Sequence, residues 1–288
     1  MANILKESRP PVDLLDWLLF PLFLLAFLGV LIFFDLVQRL ALLFGETAHQ
    51  WSIARLNRAL IGTLRIVGTK IVRDGEPPYK DDTPCIVVSN HQSLFDIPLL
   101  ATSFPWAKPR YVAKQELGKW IPSVSLNLRR GGSALIDRRD PRQAIPAIKA
   151  LGARLTEKRF GAVIFPEGTR ARFGELKQFH PAGLAALIQT APDAKIIPVV
   201  IDGTWRLSAY SFGPIPRNQT IRVRYLAEVD RNGRHARVVN GELQEVIRQN
   251  LEALRGEPII AELNSAELNS AELNSTELNS AETKNKVE

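Results

Sequence analysis

A histidine and an aspartate stand five residues apart in the run Asn90-His91-Gln92-Ser93-Leu94-Phe95-Asp96, just after the apolar stretch Cys85 to Val88. Neutral imidazole titrates close to physiological pH, so His91 can take the proton of an attacking hydroxyl. Asp96 cannot share a face with His91 on one regular helix, because five residues turn it through about 140°. The pair works if His91 ends a loop and Asp96 lies in the first turn of the next helix. Its carboxylate then reaches back, fixes the imidazole tautomer and stabilises the cation as it forms. Ser93 reads as a helix-capping hydroxyl rather than a nucleophile, and the substrate hydroxyl takes the nucleophile's place.

A second run, Phe165-Pro166-Glu167-Gly168-Thr169-Arg170, follows the short apolar segment Ala162 to Ile164. The guanidinium of Arg170 is a permanently charged fork that matches phosphate oxygens. Gly168 lets the backbone turn close to a ligand. A carboxylate beside a phosphate repels it unless paired, so Glu167 is expected to orient Arg170 or the hydroxyls of an acceptor. A base, an orienting acid and a fixed cation are the parts needed to join a group to the hydroxyl of an anionic acceptor.

Two more segments fall in order with these: Gly132-Ser133-Ala134-Leu135-Ile136-Asp137-Arg138 and Ile197-Pro198-Val199-Val200-Ile201. Together the four blocks resemble the glycerolipid acyltransferase family, whose best-known members are the 1-acylglycerol-3-phosphate acyltransferases. The resemblance covers roughly residues 65 to 205. It implies transfer of a fatty acyl group from acyl-CoA or acyl-carrier protein to the sn-2 hydroxyl of lysophosphatidate, giving phosphatidate, with no cofactor. It further implies that Thr169 and Arg170, with Arg138 of the second block and Lys114 of the string Ala-Lys-Gln-Glu-Leu, contact acceptor or donor. Pro198 and its apolar neighbours shape the core and acyl groove. Between Trp120 and Gly132 the chain is less aromatic than its family pattern, and Arg129 and Arg130 add charge there that could serve an acidic carrier or a membrane lipid. Other lysolipids, such as a lyso-ornithine lipid, are alternative acceptors, and a non-catalytic lipid-binding protein is the alternative of a different class. A hydrolase would call for a Gly-x-Ser-x-Gly elbow, which the chain lacks.

The net charge of +7 understates how basic the body is. From Ala261 the tail carries six acids and two lysines, so residues 1–260 hold +11. That surplus suits anionic lipid head groups. Nucleic acid is not an expected partner, since aromatic residues do not interleave with the basic clusters. Metal is not expected either: the histidines are His49, His91, His180 and His235, none paired at ligand spacing. The single Cys85 reads as core, not as an acyl-carrying nucleophile.

The elements that must position these groups are legible as patterns. Trp17 to Phe34 holds no charge and reaches about 27 Å as a helix, close to a hydrocarbon core. About fourteen strongly apolar residues give an insertion term on the order of −4 to −8 kcal/mol. Pro21 and Gly29 could break the segment, which leaves open whether it spans or dips in and returns. Glu46 to Val67 reads as a basic amphipathic helix, lying either on the anionic membrane face or on the domain surface packed against the core. Lys6 and Arg9 precede the apolar segment, while Arg39, Arg55, Arg58, Arg65, Lys70 and Arg73 follow it. The catalytic body is therefore expected on the cytoplasmic face of the inner membrane.

Strands are expected over 70–73, 84–88, 110–113, 133–137, 162–165, 195–201 and 220–226, with helices near 97–102, 141–158, 182–190 and 238–254. This alternation predicts an α/β fold, a mostly parallel sheet flanked by helices and preceded by N-terminal membrane helices. The expected division is an anchoring segment over 1–67, an acyltransferase domain over 68–258, and a tail over 259–288. That tail repeats Ala-Glu-Leu-Asn-Ser, and leucines five apart form no helical stripe, so it is expected to be disordered.

Overall fold

The computed structural model describes residues 8–211, 213–231 and 233–256. In chain order the elements are α1 (Leu14–Leu42), α2 (Glu46–Thr63), β1 (Lys70–Asp74), β2 (Cys85–Ser89), α3 (Asp96–Ser103), β3 (Arg110–Lys114) and α4 (Val124–Arg130). There follow β4 (Ala134–Ile136), α5 (Pro141–Lys158), β5 (Gly161–Ile164), α6 (Pro181–Thr190), β6 (Lys195–Asp202), β7 (Thr220–Tyr225) and α7 (Ala236–Gly256). All seven expected strands form. The helix α4 and three short 3-10 turns were not anticipated. Residues 1–251 cluster as one compact unit. Residues 252–288 form a second, of which only the end of α7 is described, so the pentapeptide tail lies outside the described residues.

The strands make one sheet in the order β1-β7-β6-β2-β5-β3-β4. Neighbours run parallel except β6 and β7, which are antiparallel. The central strands β2 and β5 are buried along their whole length, which is why they read as continuous apolar runs rather than alternating ones. Leu99, Val87, Val163, Ile197 and Val199 are among the side chains that close the core around them. From β2 the chain passes over β5 to reach β3, and from β5 it passes back over β2 to reach β6. Connections leaving in opposite directions open a crevice beyond the carboxyl ends of β2, β5 and β6, the place where open α/β sheets bind ligands.

Pro21 does not break α1, which runs unbroken for 29 residues, about 44 Å at the usual rise. Asp13 and Asp16 form a reciprocal cap at its start, so the helix begins three residues before Trp17. Asp16 and Asp35, which flank the uncharged stretch, fasten the helix to the body. Asp16 accepts from the backbone and Nε of Arg217 at 2.9 and 3.1 Å. Near the other end Asp35 accepts the Ser123 N–H at 2.7 Å, and the Ser123 hydroxyl donates to the Leu31 carbonyl at 2.5 Å. Between these ties Phe23 and Phe27 pack on Phe95, in the loop that follows β2. The opposite face, with Leu18, Leu25 and Ile32, is exposed. This is a helix long and apolar enough to cross a membrane, laid lengthwise on the body.

Candidate active site

Asp96 is the first residue of α3, as expected from the spacing, but His91 is the second residue of the loop leaving β2 rather than its last. Asp96 is wholly buried while His91 keeps 8% of its surface. Asp96 Oδ2 lies 2.8 Å from His91 Nδ1 and also accepts the backbone N–H groups of Gln92 and Ser93 at 2.6 and 2.8 Å. Oδ1 accepts the Thr204 hydroxyl at 2.5 Å. A carboxylate so supplied with donors acts only as an acceptor, so Nδ1 carries the proton and Nε2 presents its lone pair. The imidazole stacks on Phe165 with ring centroids 4.1 Å apart, which fixes its plane. Ser93 departs from expectation: its hydroxyl sits 3.5 Å from the Phe95 N–H and receives a hydrogen bond from Ser208 at 3.0 Å. Buried and engaged, it is neither a strong helix cap nor an available nucleophile.

The loop after β5 is stitched to this one. Ala171 N–H donates to the His91 carbonyl at 2.6 Å. Glu167 Oε1 accepts the His91 N–H at 2.7 Å and Oε2 accepts the Lys177 N–H at 3.0 Å. This corrects the expectation for Glu167. The residue is only 2% exposed, and its carboxyl group accepts from two backbone N–H groups and makes no hydrogen bond to Arg170. Burial pushes its carboxyl up to about 8, with nearby Asp96 adding to the rise and the two N–H groups opposing it.

Gly168 adopts φ +68°, the left-handed turn that presents Thr169 and Arg170 outward. Both line a cavity of about 350 Å³ with Gln92, Leu94, Arg172 and Trp205. Arg170 lines the cavity while His91 itself does not; its neighbour Gln92 does, and the Ala171 bond ties the His91 backbone to the Arg170 loop. Arg138 and Lys114 do not line that cavity. Lys114 pairs instead with Glu116 at 3.0 Å. Arg138 is held below its ordinary pKa by burial, partly offset by Glu116, with the Arg170 cation adding to the fall.

Two positioning residues escaped the sequence reading. Asn90 bridges to β6, donating to the Ile201 carbonyl at 2.7 Å and accepting its N–H at 2.8 Å. Thr204 reaches Asp96 from the turn after β6. Gly203 makes that turn possible, at φ +90°, where a Cβ would lie 2.4 Å from the Thr220 carbonyl oxygen. The triplet Asp202-Gly203-Thr204 at a strand end was the available signal.

Residues 66–202 match the family model described as Acyltransferase. Over these residues, just under half of the chain, it is similar to that acyltransferase family. Among relatives, it is 31% identical over 170 residues to a 1-acyl-sn-glycerol-3-phosphate acyltransferase of Cocos nucifera, covering 57% of this chain and 51% of that one. It is 39% identical over 117 residues to the Helicobacter pylori protein of the same name, covering 40% and 47%. The chain spans about half the length of the curated relatives it matches. Its fold is that of a solved Thermotoga maritima structure titled as the 1-acyl-sn-glycerophosphate acyltransferase PlsC. The TM-score is 0.67 at 23% identity, covering 86% of this chain and 98% of that one.

Proposed function

We propose that this acyltransferase esterifies the sn-2 hydroxyl of lysophosphatidate with a fatty acyl group, giving phosphatidate. The single observation that carries this reading is the joint placement of His91 and Arg170, loops of β2 and β5 tied through Ala171 and Glu167. His91 Nε2 takes the hydroxyl proton as its oxygen attacks the acyl thioester carbonyl; the carbonyl electrons return to expel the thiolate, which leaves as thiol with that proton. Asp96 keeps Nε2 basic and stabilises the imidazolium, and Thr204 holds the carboxylate. Arg170 grips the acceptor phosphate, with Arg138 adding positive potential on the approach. The donor is an acyl thioester of CoA or of acyl-carrier protein, and the reaction needs no cofactor.

The acceptor is a membrane lipid, and α1 places the enzyme at its surface. A helix that left the body to span a bilayer would have to give up Arg217 at one end and Ser123 at the other. We read α1 instead as lying in one leaflet, its outward face in hydrocarbon and the crevice at the interface. The surplus of positive charge over residues 1–260 favours the anionic cytoplasmic face of the inner membrane. Detergent-purified protein assayed with a panel of lysolipids and with both donors tests the proposal. Lysophosphatidate should be acylated fastest; a preference for a lyso-ornithine lipid would reassign the acceptor, and no acylation of any member would reject the reading.

A further inference from the structure

A second cavity, about 280 Å³, lies at the other end of the strands and shares no lining residue with the first. Arg110 opens β3 level with Ala162 of β5, which is level with Ile86 of β2. His91 lies five residues beyond Ile86, on the order of 16 Å of strand.

Four cations line this cavity: Arg110, Arg130, Arg154 and Lys158. Arg110 is only 6% exposed. Its Nη atoms are held by Gln50 Oε1 at 2.7 Å, the Lys108 carbonyl at 2.9 Å and Glu46 at 3.4 Å. Arg154 commits Nε and Nη2 to the carbonyls of Ala150 and Gly132 at 3.2 and 3.0 Å. Among the described residues nothing accepts from Arg110 Nε or Arg154 Nη1. Gly132, at φ +84°, lies beside both nitrogens: a Cβ there would be 3.2 Å from Arg154 Nη1 and 3.6 Å from Arg110 Nε. Glycine leaves that side of the backbone open to both guanidinium groups.

The charge is not balanced. Glu46 is the one acid on the wall, mostly exposed, and it is shared with Lys158 at 3.8 Å. Keeping a largely buried guanidinium with so little counter-charge is costly unless an anion completes the site. Burial, partly offset by Glu46, and the Arg154 cation beside it hold Arg110 below its ordinary pKa. His49 adds a second sign. Its ring is 1% exposed, lines the same cavity, and has no hydrogen-bond partner for Nε2. The rim is apolar on one side: Leu42 lines the cavity, and the next two residues, Leu43 and Phe44, are 79% and 80% exposed at the end of α1.

We propose that this cavity is a second anion site that takes a phosphate group, presented by the head group of an anionic membrane lipid whose chains lie against the apolar rim. Two free guanidinium donors beside one opening suit phosphate oxygens, and the adjoining Leu43 and Phe44 suit hydrocarbon. The site stands apart from the catalytic crevice and does not depend on which acceptor is acylated.

The test uses the full chain in zwitterionic detergent with His91→Ala, so that nothing turns over. Melting temperature is followed while either inorganic phosphate or short-chain phosphatidylglycerol is added, for this parent and for added Arg130→Gln/Arg154→Gln or Lys158→Gln, each with and without Arg170→Gln. Saturable stabilisation is expected from the lipid, with a midpoint about ten-fold below that of phosphate. Arg130→Gln/Arg154→Gln should raise that midpoint about ten-fold or more and Lys158→Gln less, and both rises should persist in the Arg170→Gln background, which removes phosphate binding at the catalytic crevice. Equal midpoints for lipid and phosphate would reject the lipid as the source of the phosphate. Should the double variant not fold, Lys158→Gln decides alone. A titration untouched by the changes at 130, 154 and 158, or one lost only in Arg170→Gln, would overturn the proposal.

Discussion

Glu167 Oε1 accepts the backbone N–H of His91 at 2.7 Å, so a carboxylate from one functional loop holds the main chain of the other. Its carboxyl sits near 8 because burial outweighs the two N–H groups that face it. In the unfolded chain the same group titrates near 4.5. Between those values the folded state binds more protons than the unfolded one, so stability must fall as pH rises from about 4.5 towards 8 and level off above it. Thermal unfolding from pH 5 to 9 should show this decline, on the order of a few kcal/mol across the window. Glu167→Gln should flatten it; an equal decline in the variant would contradict the account.

Thr204 is placed as a positioning residue, acting through Asp96. Thr204→Val keeps the shape and removes the 2.5 Å hydrogen bond to Asp96 Oδ1. Loss of a buried bond to a charged acceptor costs on the order of 1.5–3 kcal/mol, so kcat is expected to fall about ten-fold or more while the acceptor KM stays put. Thr204→Ser, which restores the donor, should recover most of the rate. A Ser variant as slow as the Val one would assign Thr204 to packing alone.

Arg170→Ala should act on the acceptor rather than on the chemistry. Steady-state assays should show a raised KM for a phosphate-bearing lysolipid, roughly ten- to hundred-fold for a lost charge-assisted contact, and little change for a neutral one. Equal losses with both acceptors would remove the phosphate from the assignment.

The outward face of α1 should govern membrane attachment separately from folding. Leu18→Asp/Leu25→Asp places charge on exposed positions of the outward face, 65% and 72% accessible. Vesicle flotation should show the variant released from lipid, since each charge in hydrocarbon costs about 2.5–3.5 kcal/mol, with thermal unfolding in detergent unchanged. Retained flotation would mean that α1 is not the element that inserts.

How much of this was legible in the sequence depended on whether the signal was local. The strands and the His91–Asp96 pairing were readable because buried runs, helix starts and a five-residue spacing are short-range patterns. Glu167 was misread because its partners, the N–H groups of His91 and Lys177, are backbone atoms that no side-chain pattern reveals. Thr204 was missed for a related reason: it lies 108 positions from Asp96 and meets it only through the sheet order. For α1, hydropathy gave its apolar character but not its orientation, which rests on Arg217 and Ser123 far along the chain. The cationic cavity drew on α2, β3 and α5, and nothing in any one segment announced it.

The central claim is that the His91 imidazole takes the proton of an acceptor bound beside it. The most direct measurement is single-turnover acylation of lysophosphatidate by His91→Ala, alongside equilibrium binding of the same lysolipid. A rate lower by about 10²–10⁴, with binding within a few-fold of the parent, is the predicted result. Near-parent turnover by the variant would contradict it.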